Sequence, residues 1–209
     1  MYKGKVYLVM KHLLLCLLYL SSVFASNIYS LSHESSSLEW IGSKITGSHN
    51  GNIQFLLGEV MLNDKTILSG ELIVNMMTIE NSDISSEKYK GYLVNHLKSE
   101  DFFNVDSFPS AHLVILEHLE NTEKNRNLGF NTMIKCNLTI KGITHEIDIP
   151  MKLDVYNSHA MASGTIDVDR TLYNIKYKSK SFFPDIGDKL IYNNFTLNFT
   201  IRANRLWEK

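Results

Sequence analysis

Residues 194–202 read Asn-Phe-Thr-Leu-Asn-Phe-Thr-Ile-Arg, a strict alternation of polar and apolar side chains. Successive strand side chains point to opposite faces. Phe195, Leu197, Phe199 and Ile201 therefore share one face, and Asn194, Thr196, Asn198, Thr200 and Arg202 the other. The same period recurs in Ile134, Cys136, Leu138 and Ile140, and in Ile147, Ile149, Met151 and Leu153. Sheets that are apolar on one side and polar on the other are antiparallel and cover an apolar interior. The pattern predicts eight strands, at about 38–46, 53–62, 67–79, 110–118, 129–141, 145–156, 160–169 and 191–203. Turn residues separate them: Gly47 to Gly51, Asn63-Asp64-Lys65, Lys141-Gly142 and Asn157-Ser158. Pro150 falls on the polar side of its strand, where it cannot donate to a ladder, so an edge, a bulge or a ladder gap is expected there.

Two segments break the period. Residues 80–109 are too long for a hairpin loop. Within them Tyr89, Leu93 and Leu97 stand four apart, with Tyr92 alongside, which predicts a helix with an apolar stripe, capped by Ser85 or Ser86. Phe102, Phe103, Val105 and Phe108 follow, ending at Pro109. The second segment, 170–190, holds Tyr173, Ile175 and Tyr177 at strand spacing, then Phe182 and Phe183 before Pro184. Eight antiparallel strands have two economical solutions, a closed barrel or a two-sheet sandwich. Closure removes exposed edges, and at eight strands a barrel is filled by side chains or holds one slender ligand.

The first residues carry Lys3, Lys5 and Lys11 and no acid, then an apolar run from Leu13 to Leu20, then Val23-Phe24-Ala25. This is the pattern of a secretory signal peptide over residues 1–25, followed by a single domain over 26–209. The run falls short of the roughly 20 apolar residues a bilayer span needs. Leu13-Leu14-Leu15 before Cys16 lacks the small residue of a lipidation site, which argues against lipoprotein anchoring. Met10 offers an alternative start to Met1. Three lysines and no acid leave with the peptide, so the net charge moves from −1 to −4. A mildly acidic product is a poor partner for nucleic acid or an anionic membrane. One cysteine remains, Cys136, which excludes an internal disulfide, and its alternation with Ile134 and Leu138 makes it a core residue.

The search for chemistry is mostly negative. The chain has no HExxH, GxSxG, P-loop or CxxC motif. His112 and His118 share a strand face but stand about 20 Å apart, too far to bind one metal. His49 lies in a Gly-rich turn as a satisfied or solvated imidazole, His96 on the helix as a structural hydrogen-bonder, and Asp83, Asp101 and Asp106 are loop acids. No metal or cofactor is expected. The aromatic residues stand out instead: Phe55, Phe195 and Phe199 on strands, Phe102, Phe103, Phe108, Tyr173, Tyr177, Phe182 and Phe183 in the irregular segments. Strand rings fit core packing. Rings on long loops over a rigid barrel sit either in the core or at a pocket mouth, where binding concentrates. All ten are the candidate ligand-contacting residues.

The stretch NHLKSEDFFNVDSFPSAHLVI (95–115) resembles the hallmark of YceI-like proteins: a helix ending in His-Leu, a Ser, an Asp-Phe-Phe, then Phe-Pro leading into a strand. CNLTIKGITHEIDIPMKL (136–153), GTIDVDRTLYNIKY (164–177) and IGDKLIYNNFTLNFTI (186–201) resemble the family's following hairpin, its arginine segment and its closing strand. The segment WIGSKITGSHNGNIQF (40–55) departs from the commonest family opening but keeps a His before a Gly-x-x-x-Phe. The resemblance implies an eight-stranded antiparallel lipocalin-like barrel with a helical insertion between strands three and four. It also implies export to the periplasm, a long amphiphile such as a polyisoprenoid in the lumen, and for some members a homodimer. By position it maps Phe102, Phe103, Tyr173 and Tyr177 to ligand contact.

The expected function is that of a non-enzymatic periplasmic carrier for a chain-like lipid, an isoprenoid or a quinone tail, with its polar head near Lys176, Lys178 or Arg170. The alternatives are an isomerase or hydrolase built in such a barrel, and a solid barrel whose loops bind a protein.

Overall fold

The computed structural model describes residues 26–185 and 187–207. The predicted signal peptide lies outside the described residues. Nine strands follow in order: β1 (Asn27–Leu31), β2 (Ser37–Lys44), β3 (Gly47–Asn63), β4 (Thr66–Asn75), β5 (Ser110–Leu119), β6 (Thr132–Ile140), β7 (Ile143–Val155), β8 (His159–Asp169) and β9 (Ile191–Arg205). Each pairs antiparallel with its neighbours in one sheet that closes on itself through β3–β4, giving an eight-stranded barrel plus one extra strand. The extra strand is β1. It shares the gap between β3 and β9 with β2: β1 pairs Glu59 to Leu62 and Ala203 to Arg205, and β2 takes over from Leu38 opposite Ile53.

Helix α1 (Glu87–Lys98) lies between β4 and β5, not between the third and fourth strands as expected, because β1 precedes the strands foreseen. Five residues with only Tyr29 and Leu31 on the inner face are too short a run to register as a strand by period alone. Ser86 occupies the N-cap position without a side-chain hydrogen bond, and Glu87 complements the helix N-terminus. The stripe is only half used: Leu97 is buried, whereas Tyr89 and Tyr92 stay exposed and meet edge to face. A second short helix, α2 (Glu123–Asn127), starts at Thr122, whose side chain accepts from the Asn125 amide.

Tight turns follow their sequences. Lys141 and Gly142 both take positive φ (51° and 72°) between the paired Ile140 and Ile143, as a two-residue hairpin requires. Pro150 pairs Met133 on β6, while the β7–β8 ladder begins only at Lys152, so the proline sits beside a ladder gap. β4 leaves the sheet at Asn75, which bares the first half of β3. Residues 80–82 cover it: the Glu80 amide donates to Asn52 O (3.0 Å) and the Ser82 amide to Asn50 O (2.9 Å). Such cover blunts an edge that would otherwise template pairing.

The second irregular segment, with Tyr173, Ile175 and Tyr177 at strand spacing, is irregular as expected and forms no strand among its described residues. Arg170–Tyr173 is a 3-10 turn begun by Asp169, whose carboxylate accepts from the Thr171 amide and hydroxyl. Asn174 (φ 58°) and Lys178 (φ 48°) then reverse the chain twice. Tyr173 and Ile175 end fully buried against one end of the barrel.

Inward residues fall into two clusters. One, at the end carrying α1 and the 170–190 segment, includes Ile53, Met76, Ile79, Leu97, Phe102 and Ile140. The other, including Tyr29, Leu62, Ile67, Ile134, Met151, Leu153 and Ala203, closes the opposite end. Cys136 is fully buried there, and burial, with Asp148 nearby, pushes its thiol up to about 12. It is a core group with no thiolate to offer.

Candidate functional site: two joined apolar cavities

The barrel is not solid. Phe195, Leu197, Phe199 and Ile201 of β9 point inward yet are only partly buried, because they border empty space. The space forms two cavities along the barrel. The inner one is about 150 Å³ and is walled by Leu31, Phe55, Val60, Leu72, Leu113, Ile149, Ile166, Phe199 and their neighbours. The second, about 180 Å³, lies under α1 and is walled by Trp40, Ile53, Met76, Ile79, Leu93, Leu97, Phe102, Phe103, Ile140 and Phe195 among others. Leu38, Val74, Ala111, Leu138 and Leu197, from five different strands, border both cavities and form a waist between them. Apolar cavities of this size stay dry and accept apolar guests.

Charge divides the two spaces. Besides Tyr29, the ionisable residues beside the inner cavity are Glu59, Glu71 and His112, whose side chains lie on the outward faces of β3, β4 and β5. Glu59 and Glu71 stand directly opposite each other across β3 and β4, and His112 Nδ1 lies 3.5 Å from Glu71. Both acids also border an outer cleft of about 600 Å³ beside Ile28, Leu57 and Ile73. The second cavity is bordered instead by Lys44, His49, His96 and Arg170, with no acid among its described lining residues.

Arg170 is 2 % exposed. Its Nε donates to Tyr192 O (3.0 Å), Nη1 to Ile175 O (2.7 Å) and Nη2 to Ile191 O (3.0 Å), and the guanidinium lies over the Phe102 ring at 5.6 Å. Among the described residues no carboxylate forms an ion pair with it. Burial pushes its pKa down, and nearby Asp169 opposes that. Three carbonyl dipoles thus hold a cation whose nearby countercharge, Asp169, makes no direct ion pair with it.

His49 is fixed by a hydrogen-bonded frame. Its Nδ1 donates to Asp83 Oδ2 at 2.8 Å. Asp83 Oδ1 accepts from the Asn50 amide (3.0 Å) and from Asn81 Nδ2 (2.6 Å). Asn81, 1 % exposed, also donates to Asn50 O and accepts from the Ile84 amide. Burial raises the Asp83 carboxyl, but bonds from His49, Asn50 and Asn81, with the charge of His49, more than offset this and hold it at about 2. An ionised Asp83 fixes the His49 proton on Nδ1 and leaves Nε2 free.

This depression has a pH signature. A carboxyl ordinarily at 3.8 and held at about 2 contributes stability above pH 4 that is lost as pH falls towards 2. Thermal melts between pH 5 and pH 2 are expected to show Asp83→Asn less stable than wild type at pH 5. That difference should shrink as the wild-type carboxyl protonates. A pH-independent difference would mean that the frame does not depend on the Asp83 charge.

His96 differs. Burial pushes its pKa down, Lys178 adding to this against Asp101, and its ring packs edge-on against Phe102 and Tyr177. Its buried Nε2 has no hydrogen-bond partner. Tyr173, its hydroxyl also unpartnered, is pushed up to about 12 by burial.

The YceI-like domain family matches residues 29–203. The chain belongs to the YceI-like family. Among solved structures, this YceI-like chain is similar to BcnA of Burkholderia cenocepacia, with a TM-score of 0.64 at 14 % identity over 83 % of this chain and 99 % of that one. It is similar also to a polyisoprenoid binding domain from Saccharophagus degradans, with a TM-score of 0.59 at 11 % identity over 85 % and 98 %. A mutant YCEI protein of Campylobacter jejuni gives 0.51 at 13 % identity over 80 % and 84 %. Identities this low carry the fold alone. No curated protein matches the sequence.

The ten candidate residues separate by position in the YceI-like barrel. Phe55 and Phe199 border the inner cavity, and Phe102, Phe103 and Phe195 the second. Tyr173 is buried and faces the His145 ring. Tyr177 backs His96 and Phe102, and Phe108 lies over Gly142. Phe182 and Phe183 are exposed, Phe182 beneath the Lys176 ammonium. Lys178 likewise lies over Tyr177, so of the three cations expected near a head group only Arg170 borders a cavity. Sequence reasoning missed the waist and the pairing of His49 with Asp83, which stand 34 residues apart with no motif linking them.

Proposed function

We propose that the protein is a periplasmic carrier that takes up one long apolar chain, of the polyisoprenoid or quinone-tail class, threaded through both cavities. The observation that supports this most is the pair of adjoining apolar spaces along the barrel, which share five wall residues and are bordered on every strand by hydrocarbon. The driving force is transfer of apolar surface, about 0.8 kcal/mol per buried methylene, so affinity grows with chain length until both spaces are full. Membership of a family with a solved polyisoprenoid binding domain supports the ligand class. No helix among the described residues is long and apolar enough to cross a membrane. Export rests on the signal-peptide pattern of residues 1–25.

Organic extraction of the purified protein followed by mass spectrometry is expected to recover a single-chain isoprenoid. Delipidated protein should then bind prenols with affinity rising with length. Recovery of no lipid, together with no thermal shift on adding prenols, would sink the carrier reading.

A further inference from the structure

Resting on that carrier reading, we propose that the guest is an amphiphile with an oxyanion head group, phosphate or carboxylate, and that it enters one way round. The head lies in the second cavity against Arg170, His49 and Lys44, and the tail crosses the waist into the inner cavity. The geometry points there from three observations.

The first is the sign of the charge at each end. Lys44, His49, His96 and Arg170 border the second cavity and no carboxylate among the described residues does, whereas Glu59 and Glu71 stand towards the other end, on the outward faces of β3 and β4. Of the two ends, the second cavity is therefore the one whose own lining attracts an anionic head. The second is Arg170. Its guanidinium has five N–H donors, of which three are engaged by backbone carbonyls. Two remain on a buried cation with no carboxylate ion pair, in the wall of a space otherwise lined by hydrocarbon. Oxyanions are the groups whose geometry a guanidinium fork matches. The third is the frame around His49. Asp83, Asn81 and the strap at residues 80–84 fix the imidazole and leave Nε2 on the same cavity wall, where it donates to an oxyanion in the imidazolium form. Arg170 comes from the turn after β8, His49 from β3 and Lys44 from β2, so three separate elements converge on one space.

The test compares chain-matched ligands on the delipidated protein: geranylgeranyl phosphate, its alcohol geranylgeraniol, and a C20 fatty acid. Charge-assisted hydrogen bonds to a buried arginine predict that the phosphate, the acid or both bind at least about tenfold more tightly than the alcohol. The stronger of the two anions identifies the head. The readout for variants is the ratio of anion to alcohol affinity. Lys44→Gln and His49→Gln are each expected to lower it about threefold. Arg170→Lys keeps the charge and loses the fork, and should lower the ratio further. Arg170→Met can fail to fold, since three carbonyls lose their donor, and the two cavity-mouth variants keep the test decisive in that case. If the alcohol binds as tightly as both anions, or the ratio is unmoved in all variants, the head-group assignment falls while the carrier reading stands. If no ligand binds, both fall together.

Discussion

Gly51→Ala is expected to lower the melting temperature by about 6–12 °C, corresponding to a loss of about 3 kcal/mol from overpacking against fixed backbone. A Cβ at this position would lie 1.8 Å from Glu80 O and 2.8 Å from both Glu80 C and the Trp40 ring. The neighbour is backbone, so it cannot yield by a rotamer change. Glu80 O is also the acceptor for Trp40 Nε1 at 3.0 Å, and its own amide is bonded to Asn52 O. Pushing the strap away therefore breaks the cover over β3 and moves Asp83 off His49. Gly91→Ala is the control: it sits inside α1 with open space where its Cβ would go, and the change should stabilise by up to ~1 kcal/mol. Differential scanning calorimetry on the two variants measures both effects. Equal melting temperatures would show that the strap does not depend on a bare backbone at residue 51.

Ala111→Phe carries the largest expected effect on binding. Ala111 is the smallest of the five waist residues and faces the space both cavities share. A benzyl group there splits the lumen into two closed halves. In wild type each added methylene is worth about 0.8 kcal/mol, nearly fourfold in affinity, until the chain ends. In the variant the gain should stop once one cavity is full. A chain six methylenes longer than that limit then loses up to about 5 kcal/mol, or three to four decades. Calorimetric titration with prenols or alkanols of rising length reads the break directly. Overpacking at the waist costs about 1–3 kcal/mol of stability, so short-chain binding serves as the check that the variant is folded. Parallel length series in the two proteins would show that the guest does not cross the waist.

The barrel was legible because a period of two survives wherever one strand face meets the interior. In β6, Ile134, Cys136, Leu138 and Ile140 alternate in burial as they alternate in the sequence. Residues 170–190, read as irregular, are so: the strand spacing of Tyr173, Ile175 and Tyr177 belongs to a chain that doubles back. Asn174 is of a residue type that takes left-handed backbone readily, whereas the lysine at 178 gives no such signal. β1 was missed because five residues carry too few repeats of any period. Hollowness was not legible at all: Phe195 and Leu197 alternate identically whether they border a void or packed atoms. The head-group cations were illegible for another reason. Lys44, His49 and Arg170 are distant in sequence, and only closure of the sheet brings them to one space.

β1 ties the beginning of the sheet to β9, the last strand, beside the closed eight-stranded barrel. Tyr29 pairs Arg205, and the Arg205 guanidinium reaches Asn27 across 178 positions. Until β9 is present, β2 lacks one neighbour and β8 another. Loop closure over so long a span makes folding slow relative to a chain built from local contacts. Synthesis must therefore pass β9 before the barrel locks. A polypeptide with this topology stays threadable through a narrow conduit for longer than one whose N-terminal half folds by itself.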